Sequence, residues 1–350
     1  MNEYLVNDTT LESQFRSIFL FGRNVATYKF ALAKTLLELG RPSNGFISLE
    51  DLSPIYAKHM LEHVRTGKRQ ITSKSSKFIQ AFELYDKGQI TWEQLLLVTE
   101  KVGFNVVLDA FHYLPNDELP SSFYKKEVQG RKLGINLTDD LYKLNEGTQV
   151  GNMFEEIEGR WNLVETAWSE RNPRLEIKYD GNLEEFFALK AVSPEGYLHS
   201  HNRVSLTPVR KPLNGYQKGK CFYCFGPISI NSNEKNTCDV DHFIPLSVQY
   251  NSQYDLDLNG VWNLVLTCAD CNRGEDNGKF ARLPQEHLLE RLHKRNEYLI
   301  ESNHPLKETL VMKTGNSSLS RKRYLSERFE FAKTFKRPEW APNLEKAKGF

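Results

Sequence analysis

Two C-x-x-C pairs, Cys221/Cys224 and Cys268/Cys271, bracket the run Asp239-Val240-Asp241-His242-Phe243-Ile244-Pro245, and Asn272 follows the last cysteine directly. A two-residue spacer lets one turn aim both thiolates at a single point, and two such turns can close a tetrahedral zinc site. Four sulfur ligands leave no open position on that ion, so its expected job is structural. Chemistry then falls to the groups between the pairs. A histidine there can take a proton near neutral pH, while carboxylates and amide oxygens can hold a hard divalent cation. Buried free thiols or disulfides are the bland reading of the four cysteines, and the matched spacing argues against it. Cys238 lies outside both pairs and is expected to be a small apolar strand residue.

The runs Cys221-Phe222-Tyr223-Cys224, Asp239 to Pro245 and Asn263-Leu264-Val265-Leu266-Thr267-Cys268-Ala269-Asp270-Cys271-Asn272-Arg273-Gly274 resemble HNH endonucleases of the His-Me finger (ββα-metal) superfamily. The segments around Asp241-His242 and Asn272-Arg273-Gly274 also resemble the HNH domain of RNA-guided CRISPR effectors. The resemblance implies that His242 is the general base and that Asp241 and Asn272 hold a catalytic Mg2+ or Mn2+. It implies that Asn263 braces the loop that aims the histidine, and that Arg273 and Lys279 contact substrate phosphate. Glu275 departs from the pattern, standing where lysine is common. Zn2+ on Cys221, Cys224, Cys268 and Cys271 completes the expected cofactors. Neighbours on a strand face opposite sides, so a bend or bulge is expected between Asp241 and His242 to let both serve one site. The alternative for His242, a hydrogen-bonded core histidine, is disfavoured by the adjacent Asp241 and the downstream Asn272.

The function so implied is a metal-dependent endonuclease that hydrolyses phosphodiester bonds in DNA, in a setting of bacterial defence or restriction. Two other readings stand beside it: a zinc-stabilised DNA-binding module without catalysis, and an RNA-directed nuclease or toxin. Nothing in the residues separates RNA from DNA.

Composition refines the partner. The net charge of +1 hides an asymmetry, because residues 201–350 carry 23 Lys and Arg against 17 Asp and Glu, and residues 1–200 carry 23 against 28. The half holding the cysteines is therefore the positive one and is expected to draw in polyanions. Its densest basic run is Arg321-Lys322-Arg323 with Arg328, Lys333, Lys336 and Arg337, which reads about equally as a DNA contact or as a solvated helix face. There is no basic leader and no apolar run near membrane-spanning length, so neither secretion nor membrane insertion is expected. Cytoplasmic residence is expected, and it suits cysteines kept reduced for zinc.

The elements that must carry these residues follow from periodicity. With 39% hydrophobic residues over 350, the chain can bury more than one core. Thr9 with Glu12, Ser48 with Asp51, and Thr91 with Gln94 have the spacing of helix caps. Val25, Tyr28, Leu32, Leu36 and Leu39 form one helical stripe, closed by Gly40 and Pro42. Phe154, Ile157, Trp161, Val164 and Trp168 form another, read as packing. Leu175 to Tyr179 alternates like a strand, with a turn at Asp180-Gly181. Residues 194–220 read as a linker, with His199-Ser200-His201 in a solvated loop. Strands are expected at Cys238–Ile244 and Leu264–Thr267, with helices after Asn272, over Glu286–Ile300 and over Leu319–Lys336. The fold class is α+β: a mostly helical domain at 1–193 that could meet protein partners, an HNH domain at 194–300, and a basic helical extension at 301–350.

Overall fold

Short polar side chains set where the helices begin. In the computed structural model, Ser48 Oγ accepts the Asp51 N–H at 3.1 Å. Thr91 and Gln94 form a reciprocal capping box at 3.3 and 2.8 Å. Each satisfies donors that the first turn would otherwise leave orphaned. The first cap sits one residue later than its spacing suggested. Thr10, not Thr9, accepts the Ser13 N–H, because Asp8 fixes Thr10 through both its N–H and its hydroxyl. The structure describes all residues except 1–2, 7, 41, 43–44, 116, 171–176, 190–202, 303 and 344–350. His199, His201 and the first part of the segment read as a linker lie outside the described residues.

The chain forms two compact units, Met1–Arg171 and Asn172–Phe350. The first is a helical array with a small antiparallel sheet in the order Phe46–Ser48, Lys132–Leu137, Tyr124–Gln129. Its long helix Val150–Glu170 packs on Tyr28–Glu38 and buries Ile157, Trp161 and Val164, so the aromatic stripe is core. Polar groups are buried there too. His63 stacks on Trp161 at 3.6 Å and hydrogen-bonds Glu165 at 2.9 Å and Glu158 at 3.3 Å.

The second unit opens with a three-stranded antiparallel sheet of Ile177–Asp180, Glu185–Leu189 and Arg203–Pro208. The segment expected to be a linker is largely structured where it is described. Arg203–Pro208 is a strand and Arg210–Asn214 a short helix, held because Leu206, Val209, Leu213 and Tyr216 are buried. Next come the first cysteine turn, the hairpin strands Asp239–His242 and Leu264–Thr267, and the helix Ala269–Arg273. That helix starts directly after Cys268 and contains Asn272, where sequence placed it after Asn272. Gly274 ends it.

Three helices follow: His287–Glu301, Leu306–Thr314 and Ser318–Lys333. The middle one, too short for a clear period, escaped the sequence reading. The basic run lies mostly on the last helix and is largely engaged within the unit. Arg321 pairs with Glu297 at 2.6 Å, Lys322 with Glu290 at 2.7 Å and Lys333 with Glu330 at 2.8 Å. These contacts favour the solvated-face reading. Together the two units make an α+β chain. Among the described residues no helix is long and apolar enough to cross a membrane.

Candidate metal centre and active site

The four sulfurs of Cys221, Cys224, Cys268 and Cys271 lie within 4.8 Å of one another, with Cys224 and Cys268 Sγ 3.7 Å apart. A tetrahedral ion with Zn–S bonds of about 2.3 Å spaces its sulfurs by about 3.8 Å, so the cluster has zinc dimensions. The first turn is built by Cys221 accepting Phe225 N–H at 3.0 Å and donating its own N–H to Gly226 at 2.7 Å, with Phe225 in the left-handed region at φ 59°. Gly226 N–H then points at Cys224 Sγ, 3.4 Å away. Burial lifts the Cys221 thiol. Hydrogen bonding with Cys221 holds Cys224 and Cys268 below the usual thiol range and pushes Cys271 up. So small a volume cannot hold four thiolates without a cation, and a bound dication removes the conflict. Cys238 is buried outside the cluster, its thiol pushed up to about 12 by burial.

The strand pair carries the candidate chemistry. Its register runs without interruption from His242 opposite Leu264 to Asp239 opposite Thr267. The bulge expected between Asp241 and His242 is therefore missing, and the two side chains take opposite faces. Asp241 points inward, where Tyr223 donates its hydroxyl at 2.6 Å and Lys279 its ammonium at 3.0 Å. Lys279 is fully buried and also donates to the His242 carbonyl at 2.8 Å. The loop after Gly274 makes this possible. Gly278 N–H bonds Gly274 O, then Lys279 and Phe280 bond back to Cys271 and Asn272 carbonyls, all at 2.7 Å. A Cβ on Gly278 would lie 2.6 Å from the Gly274 nitrogen, so only glycine allows that return. In this position Lys279 has a different partner from the substrate phosphate foreseen for it.

His242, on the other face, is partly exposed, and its Nε2 meets Asn259 Oδ1 at 2.9 Å. With an amide oxygen facing Nε2, the neutral ring carries its proton there and leaves Nδ1 as the basic nitrogen. Burial pulls the ring's pKa down, which keeps it neutral at neutral pH. Asn263 is fully buried. Its Oδ1 accepts Ile244 N–H at 2.8 Å, and its Nδ2 donates to the carbonyls of Ile244 at 2.9 Å and Leu258 at 2.8 Å. One side chain thus ties both ends of the loop that begins after His242 and ends beside Asn259.

Asn272 and Arg273 are brought not to Asp241 but to Asp239, whose Oδ2 accepts Asn272 Nδ2 at 3.1 Å and Arg273 Nε at 2.8 Å. The expected divalent ligands Asp241 and Asn272 therefore sit in separate hydrogen-bonded groups. As arranged, they do not fit a shared ion, and the ammonium of Lys279 already neutralises Asp241. Sequence reasoning missed Tyr223, Asn259 and Asp239 as members of this site. Only Asp239 carried a signal, being two residues before Asp241 and hence on the same strand face.

Residues 221–279 match the family described as HNH endonuclease. The match begins at the first cysteine and ends at Lys279, so it covers this module and does not reach the first unit. Neither a curated protein nor a solved structure matches the chain. The module is thus of the HNH endonuclease type, with a cysteine tetrad disposed for a structural zinc.

Proposed function

We propose that the second unit hydrolyses phosphodiester bonds in nucleic acid, with DNA as its substrate and His242 as the general base. The observation that carries this is the hydrogen bond from His242 Nε2 to Asn259, which leaves a basic Nδ1 on a neutral imidazole at the surface of an HNH-type hairpin. Nδ1 takes a proton from water as its oxygen bonds to phosphorus, and the bond from phosphorus to the sugar oxygen breaks, that oxygen gaining a proton from solvent. Asn263 keeps the ring and its loop in register. Arg273, well exposed beside Asp239, is a cation of the module open to a phosphate. Mg2+ or Mn2+ enters through the HNH resemblance. Asp241, held by Lys279 and Tyr223, is not placed to ligate it.

The positive balance of residues 201–350 supports a polyanionic substrate. The acidic, mostly helical part of residues 1–193 that forms the first unit is suited to sensing a protein partner or trigger, residues 194–300 with the strands from Ile177 to catalysis, and residues 301–350 to support. A cytoplasmic role in bacterial defence or restriction accords with that division. A second reading, a zinc-stabilised module that binds DNA without cutting it, is favoured by the capture of Asp241. Incubation with supercoiled plasmid, single-stranded DNA and RNA in magnesium or manganese separates these readings. Nicked or linear plasmid supports the nuclease, cutting of RNA alone transfers the activity to RNA, and retention of all three intact with binding to DNA supports the second reading.

A further inference from the structure

Next to His242, and away from the cysteine tetrad, is a cavity of about 230 Å3 lined by Tyr179, Asp255, Asp257, Asn259, Trp262 and Lys313 among others. It shares two walls with the candidate active site. Asn259 is the hydrogen-bond partner of His242, and the Tyr179 ring lies 6.0 Å from the His242 ring, centroid to centroid. Pockets that take whole drug-sized ligands run to about 300–1,000 Å3, so this one suits a fragment, on the scale of a single base. Its chemistry points the same way. Tyr179 brings a half-buried aromatic ring to the wall and Asn259 an exposed amide edge, with the buried Trp262 backing the wall from within. Lys178 and Lys313 balance Asp255 and Asp257 in the lining, and the exposed Asp255 carboxylate can accept a hydrogen bond from an exocyclic amine. Gly260 permits the tight wall, since a Cβ there would come within 2.6 Å of both Asp257 Oδ2 and the Trp262 ring.

We infer that this cavity receives one unstacked nucleobase, bearing an exocyclic amine, next to the phosphate that His242 addresses. The module then works best where a base has already left the stack, in a bulge, a loop or a single strand, because extrusion from a paired duplex opposes binding. The inference rests on the nuclease reading of His242, and a binding measurement keeps the two separable.

The test uses the full-length His242→Ala protein and three fluorescein-labelled DNA duplexes: fully paired, with one bulged cytosine, and with an abasic bulge at the same place. Anisotropy titration is expected to give about tenfold tighter binding to the bulged cytosine than to either control, in line with the worth of stacking one base. Adding Tyr179→Ala should erase that preference while leaving affinity for the paired duplex in place, and Tyr179→Phe should retain it. Asp255→Asn, at an exposed position, should also weaken the preference for cytosine and is independent of any packing loss at Tyr179. Equal affinity for the bulged cytosine and the abasic bulge overturns the inference, as does a preference that survives both Tyr179→Ala and Asp255→Asn. Equal binding of all three duplexes overturns the cavity alone. Failure to bind any of them overturns the nuclease reading as well.

Discussion

Arg16 and Arg295 are both buried arginines, one in each unit, and their surroundings differ. Arg16 meets Glu156 through Nε at 2.8 Å and Nη2 at 3.0 Å, and although burial works against its charge, the carboxylate raises its pKa. Arg295 has the Trp262 carbonyl at 3.5 Å, its Nε and Nη1 have no hydrogen-bond partner among the described residues, and burial pulls its pKa down to about 9. The contrast extends further. In the first unit Lys34 meets Glu158 at 2.8 Å and His63 lies between Glu158 and Glu165. In the second, four cysteine sulfurs crowd together and a cation sits beneath the loop that carries Asn259 and Trp262. Among these groups the first unit's buried charges meet carboxylates, whereas in the second Arg295 meets only a carbonyl and the cysteine sulfurs are spaced for a metal ion, although Lys279 and Asp241 there pair as the first unit's groups do. On that difference the second unit is expected to depend on metal more than the first.

Removing zinc should separate the units most sharply. Structural zinc sites supply an apparent ~10–16 kcal/mol of folding energy, so chelation, or Cys268→Ser, should unfold the second unit. The first unit should keep its helical circular dichroism. About one zinc per chain is expected in protein purified without chelator, and Cys238→Ala should not change that number. Loss of zinc with no change in the second unit's melting would break the comparison.

Lys279 supplies the next largest effect. Lys279→Met leaves Asp241 buried beside Tyr223 alone, and breaking a buried pair in this way costs about 3–5 kcal/mol. Denaturant unfolding of the full chain should show the loss, and adding Asp241→Asn should recover part of it. An unchanged midpoint for Lys279→Met would mean that the pair is not formed in solution.

Arg295→Met should act in the opposite direction on stability. Replacing a buried charge that lacks a carboxylate by an apolar side chain is neutral or stabilising by about 1–4 kcal/mol, yet it removes positive charge under the site. The variant should melt no lower than wild type and bind DNA more weakly at low salt. Lower stability would show that Arg295 has a structural partner after all.

The smallest effect is one of pH in the first unit. Burial opposes the charged form of His63, but Glu158 and Glu165 outweigh it and the pKa is raised. Its contribution to stability is thus fully present below the unfolded value of about 6.5 and fades as pH rises through the raised folded value. Glu158 has a lowered pKa, because His63 and Lys34 outweigh its desolvation, so its contribution is present above the unfolded carboxylate range and fades in acid. The first unit's melting temperature should fall on both sides of that window, and His63→Gln should flatten the alkaline side. An alkaline fall of the same size in His63→Gln would assign it to another group.

Legibility in sequence followed the range of the interactions. The cysteine turns were readable because a local spacing encodes them, and the caps at Ser48 and Thr91 for the same reason. Helix boundaries slipped where a neighbour decided them, as Asp8 does for Thr10. The strand face of Asp241 was open to deduction from alternation, but a bulge was expected in order to serve an assumed metal, and the regular pairing with Val265 rules it out. Asn259, Tyr223 and the return of Lys279 depend on loops that close only in three dimensions. No spacing rule links Tyr223 to Asp241, although it sits inside the first cysteine pair.

On the proposed mechanism, His242 acts as a base on a surface that binds nucleic acid without it. Supercoiled plasmid incubated with wild-type and His242→Ala protein, alongside binding of the same plasmid, tests this most directly. Cleavage by His242→Ala should fall by roughly two to four orders of magnitude with binding retained. The wild-type acid limb should lie below the ordinary histidine value of about 6.5, because burial lowers the pKa of His242. Wild-type cleavage by His242→Ala would place the active site elsewhere and contradict the account.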